Sequence, residues 1–97
     1  MRQEYREVVT PVREIRRMAR RYSSRYGVPI RISAAAVDEV GPNTDAIYHY
    51  RYGRNGKVVS TVYLHPDLQY ESRAYVDSTI RHELAHLNVE KKWEGRL

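Results

Sequence analysis

The stretch AIYHYRYGRNGKVVSTVYLH, from Ala46 to His65, restricts the fold more than any other part of this chain. Asn55-Gly56 is a strong turn signal, because both residues tolerate the positive φ that tight hairpins require. On either side lie arms rich in β-branched and aromatic residues, about Ala46 to Tyr52 and Lys57 to His65, joined by Gly53-Arg54-Asn55-Gly56. Alternation places Tyr48, Tyr50 and Tyr52 on one face and Ile47, His49 and Arg51 on the other. His49 therefore reads as a sheet-surface residue. Pro66 ends the second arm.

Helical patterns flank this hairpin. From 10 to 26, Val12, Ile15, Ala19, Tyr22 and Tyr26 recur at three- and four-residue steps, which makes one apolar face. Thr10 is the expected N-cap, Pro11 the first helical residue and Gly27 the C-cap. VPIRIS follows as a short strand candidate, and VDEVGPNTD reads as a loop from its Gly, Pro, Asn and Asp content. A last helix is expected from about Ser72 to Glu90 or a little beyond. The order helix, three strands, helix predicts an α+β fold: one small, mainly antiparallel three-stranded sheet packed on two helices. Ninety-seven residues suit a single domain over 1–97.

The last helix carries HELAH, with His82, Glu83 and His86. With His82 at zero and about 100° per residue, His86 falls near 40°, Thr79 near 60° and Glu83 near 100°. Val76, Leu87, Ile80 and Leu84 fall between about 120° and 200°, forming an apolar face beside the histidines. Side chains four apart lie one turn apart, so both imidazoles can reach one ion. Glu83, at the edge of that face, is poised to take a proton from activated water rather than to bind the metal. The chain has no cysteine, so zinc must be held by histidine and carboxylate.

YVDSTIRHELAHL preceded by VYLHPDL resembles the small zincin-type peptidases, in particular SprT-like domains and minigluzincins. The resemblance covers roughly Gly27 to Val89, about two thirds of the chain, and HELAH is its sharpest part. It implies a zincin-like fold with HExxH on the last helix. It also implies Zn2+ on His82 and His86, with Glu83 as general base and acid in peptide-bond hydrolysis. The strand Val58 to Leu64 is then the upper rim, pairing with an extended peptide substrate through its main chain.

These families take a third ligand from further along the chain, a His in the SprT-like domains and a Glu in the minigluzincins. The eleven residues after His86 contain no histidine, and Glu90 and Glu94 are their only carboxylates. Glu90 lies near the histidine face but a further turn along, about 6 Å beyond His86. Glu94 would need the helix to break near Asn88. His65, at the end of the expected rim strand, is the remaining candidate third ligand. A partner chain, or a C-terminal segment missing from the sequence, are the other ways to complete the site.

Charge points to a second class of partner. Seventeen Lys and Arg against twelve Asp and Glu leave +5, which favours anionic partners, nucleic acid first among them. Arg13, Arg16, Arg17 and Arg20 crowd the first helix and could track a phosphate backbone; a merely solvated helix surface is the competing account. The alternative function is thus a non-enzymatic basic nucleic-acid-binding module with a vestigial HExxH. No apolar run reaches the roughly 20 residues of a membrane span, and the N-terminus lacks a signal-peptide core. A soluble cytoplasmic protein is expected.

Overall fold

The computed structural model of the chain describes the backbone of residues 6–94 and the side chains of residues 6–87. Among these, helix α1 spans Val12–Tyr26, strand β1 Ile30–Ile32, the short helix α2 Ala34–Asp38, strand β2 Ala46–Tyr52 and strand β3 Val58–Leu64. A 3-10 turn at Pro66–Tyr70 leads into helix α3, Arg73–Glu94. The α+β class holds, with one helix more than expected. Ser33, at the end of the VPIRIS segment, nucleates that addition just ahead of the presumed loop: its Oγ accepts from Ala36 N at 3.2 Å and caps α2.

The hairpin forms where expected. Gly53 N donates to the Lys57 carbonyl at 2.7 Å, and Gly56 takes φ +77°. Its consequence for the sheet is less obvious. From β1 the chain crosses by α2 to enter β2 on the far side, and the hairpin then returns β3 between the two. The strand order is β1-β3-β2. β3 runs antiparallel to β2, from Tyr52↔Val58 to Ala46↔Leu64, and parallel to β1 over Ile30↔Val62 to Ile32↔Leu64. The sheet is therefore mixed, its longer ladder antiparallel as expected and its short β1–β3 ladder parallel.

This order corrects the rim assignment. Val58–Leu64 is the central strand, with main-chain partners on both sides. It has no free edge to offer a peptide. Among the described residues the long outer strand is β2.

The core lies between one sheet face and two helices. Ile15, Met18 and Ala19 of α1, Ala46, Val62 and Leu64 of the sheet, Leu68 of the turn, and Val76, Ile80, Leu84 and Leu87 of α3 pack in one cluster. The α3 stripe is the one the helical angles predict. In α1, Met18 joins the face and Tyr26 leaves it, 44 % exposed, because the helix ends there. Gly27 caps α1 with φ +69°, its N–H donating to the Ser23 carbonyl at 2.8 Å.

Thr10 does something other than cap. Pro11 occupies the N-cap position, and the fully buried Thr10 donates its hydroxyl to the Glu71 carbonyl at 2.7 Å. A buried hydroxyl needs a partner, and the turn before α3 supplies one. Tyr22 ties α1 to α3 directly: its hydroxyl donates to Asp77 Oδ1 at 2.6 Å, and Arg81 Nε lies 3.0 Å from Asp77 Oδ2. Among the described residues no helix is long and apolar enough to cross a membrane.

Two stability predictions follow from this packing. Ile80→Val, at a fully buried site, should cost about 0.5–1.5 kcal/mol in urea denaturation. Tyr22→Phe should cost about 1 kcal/mol at neutral pH. The hydrogen bond to Asp77, with burial adding to it, raises the Tyr22 pKa above 10.0. Tyr22 therefore contributes fully below pH 10, and its contribution is lost as pH rises through the raised value. The gap between wild type and Tyr22→Phe should close there.

Candidate metal centre and its cleft

α3 has two working sides. With Val76, Ile80, Leu84 and Leu87 turned into the core, Tyr75, Thr79, His82, Glu83 and His86 line the adjoining flank, towards β2. Both imidazoles are exposed, their ring centres 5.9 Å apart and edge to face at 88°. Tyr48 of β2 stacks on His86, with centres 5.5 Å apart and planes 22° apart. Its hydroxyl shares a 2.7 Å hydrogen bond with Ser60 Oγ, which fixes the ring from its far end.

Two adjoining hollows open between α3 and β2. One, of about 280 Å³, is lined by Asp45, Ala46, Tyr75, Thr79, His82 and Glu83. The other, of about 490 Å³, is lined by Thr44, Ala46, Tyr48, Tyr50, Glu83 and His86. Ala46 and Glu83 belong to both. Glu83 thus stands between the hollow that holds His82 and the one that holds His86.

Desolvation raises the Glu83 pKa above the ordinary glutamate value of 4.5, opposed by the neighbouring His82 and His86. A carboxyl in that state gives up and takes back a proton closer to neutrality than a free one would.

Asp45 and Tyr75 were not legible as site residues. Tyr75 lies seven residues before His82, on the same flank of α3, and its hydroxyl donates to Asp45 Oδ2 at 2.5 Å. That bond, helped by burial, raises the Tyr75 pKa. Helical spacing could have flagged Tyr75. Nothing local flags Asp45, which reaches the site because it precedes β2.

The donor set suits zinc in kind, with two imidazoles one turn apart and a carboxylate beside them. Among the described residues no group of three or more His, Cys, Asp or Glu converges to hold an ion. His65 is 4 % exposed at the end of β3 and is engaged structurally. Its Nδ1 accepts from Asp67 N at 3.0 Å and caps the 3-10 turn, while Nε2 lies 3.0 Å from Asp38 Oδ1. That placement suits tying α2 to the turn, not joining His82 and His86. The side chains of Glu90 and Glu94 lie outside the described residues. The backbone of α3 stays helical through Glu94, with no break at Asn88.

Arg13, Arg16, Arg17 and Arg20 are exposed on α1. Arg16 and Arg20 line a groove beside β1, at the sheet edge opposite the histidines. Comparison with protein-family models, with curated proteins and with solved structures finds no match to this chain.

Glu83→Gln offers a direct check on the desolvated carboxyl. In the metal-free protein the native state holds this proton more tightly than the unfolded chain does. Wild-type stability therefore falls as pH rises from below 4.5 through the raised value. The glutamine variant escapes this penalty. Its urea midpoint should exceed that of wild type at pH 7 and match it at pH 3.

Proposed function

We propose that this chain is a zinc-dependent peptidase with His82 and His86 as metal ligands and Glu83 as general base. The observation that carries the reading is the opening of both imidazoles and a half-buried glutamate of raised pKa onto adjoining hollows beside β2, an outer strand of the sheet among the described residues. Bound zinc supplies Lewis acidity towards a carbonyl oxygen and lowers the pKa of water.

The protein's own groups do the rest. The outer edge of β2 pairs with the main chain of an extended peptide and lays it along the cleft. Glu83 takes the proton of the attacking water and hands it to the leaving amine, a double duty suited to a carboxyl with a raised pKa. Tyr48, held by Ser60, stacks on His86 and fixes its ring plane. The rim role expected of Val58–Leu64 thus passes to Ala46–Tyr52, one strand over.

Purified protein loaded with zinc should hold about one ion per chain, measured by elemental analysis, and His82→Ala should lose it. Glu83→Ala should keep the ion and lower hydrolysis of an unfolded protein substrate by about 10²–10⁴-fold. Absence of zinc binding at micromolar concentration would remove the basis of this reading. So would a Glu83→Ala protein that still cleaves.

A further inference from the structure

We propose that the groove beside β1 binds single-stranded nucleic acid, with Arg16, Arg20 and Arg31 on its phosphates and Tyr63 against a base. The site lies at the opposite sheet edge from HELAH and does not depend on a metal.

Charge distribution is the first argument. Residues 8–37 contain seven arginines (13, 16, 17, 20, 21, 25 and 31) and one acid, Glu14, a net of +6. The whole chain carries +5, so everything outside this segment sums to −1. The basic character of the protein is thus a property of α1 and β1 alone. Every cation in the segment is an arginine, the side chain whose planar fork matches phosphate oxygens in pairs.

Geometry is the second. Arg16 and Arg20 stand one helical turn apart on α1, and with Arg31, Ser33, Tyr63 and Ile30 they line one groove of about 600 Å³. Arg31 and Tyr63 are register partners in the parallel β1–β3 ladder, so their side chains leave the same sheet face as neighbours. Glu14 does not quench the groove, because Arg73 Nη1 holds its Oε2 at 2.7 Å. Among the described residues, no acidic side chain forms an ion pair with Arg16, Arg20 or Arg31.

The kind of anion follows from what surrounds the charge. A membrane surface would want an apolar helix face to insert, but Ile15, Met18 and Ala19 of α1 are buried in the core. A duplex would present phosphates and keep its bases stacked away from Tyr63. Guanidinium groups tracking a backbone beside an aromatic ring form the combination that recognises a single strand.

Fluorescence anisotropy with a labelled mixed-sequence oligodeoxynucleotide of about 15 residues, over a series of salt concentrations, tests this. R16A/R20A/R31A, all at exposed positions and checked for fold by circular dichroism, should weaken binding by at least about tenfold. It should also flatten the slope of log K against log salt by about 2, three phosphates at about 0.7 each. Y63L should weaken binding by about fivefold or more and leave the slope unchanged.

R51A/R54A/K57A removes the same charge from the hairpin, and Lys57 sits about 17 Å along β3 from Val62. It should bind within about twofold of wild type. Equal losses in the two triple variants would reduce the effect to net charge and overturn the site. Wild-type affinity in R16A/R20A/R31A would overturn it outright. Displacement by polyglutamate as effective as by unlabelled oligonucleotide would assign the groove to acidic protein segments instead.

Discussion

A helix packed along one stripe loses its rotational freedom, and in α3 the residues that remove it are Val76, Ile80, Leu84 and Leu87. Once these four are in the core, the azimuth of every other side chain on the helix is set. Val76 and Ile80 are fully buried, and each such side chain contributes about 1.5–3 kcal/mol relative to exposure. No rotation that hid the histidines could keep that burial. His82, Glu83 and His86 must therefore face β2, and the cleft exists because the core does.

The sheet supplies the other wall. Because β3 returns between β1 and β2, these two are the outer strands among the described residues, at opposite edges of the sheet. β2 meets the chemistry-bearing flank of α3 through Tyr48 on His86. β1 meets the arginine-bearing flank of α1 through Arg16, Arg20 and Arg31. One strand order thus separates a cleft rich in imidazole and carboxylate from a groove rich in guanidinium. A zinc ion in the first and an anionic strand in the second would not compete for the same surface.

Several polar side chains act as pins between elements that local sequence leaves independent. Thr10 fastens the entry of α1 to the turn before α3, Tyr22 and Asp77 join the two long helices, and Tyr75 and Asp45 join α3 to the start of β2. From a nearly dry position His65 holds Nε2 3.0 Å from Asp38 Oδ1 of α2. Each is a long-range contact whose partner is invisible to any window of ten or fifteen residues. For that reason Thr10 read as a helix cap and His65 as a candidate ligand.

Local sequence determined the parts governed by short-range physics. The Gly53–Gly56 turn, the Gly27 cap, the apolar stripe of α3 and the grouping of His82, Glu83 and His86 all follow from backbone conformational limits and the 3.6-residue period. Ser33, as the cap of α2, was equally local but was obscured by the loop-like residues that follow it. The tertiary structure alone decided which strand lies in the centre, and so which two lie outside. The hairpin fixes that β2 and β3 pair, but the crossover from β1 fixes on which side. It also decided that Asp45 and Tyr75 reach the histidine cleft, and that Arg31 and Tyr63 join the arginines of α1. Those neighbours come from chain segments far apart, brought together only when the shared core closes.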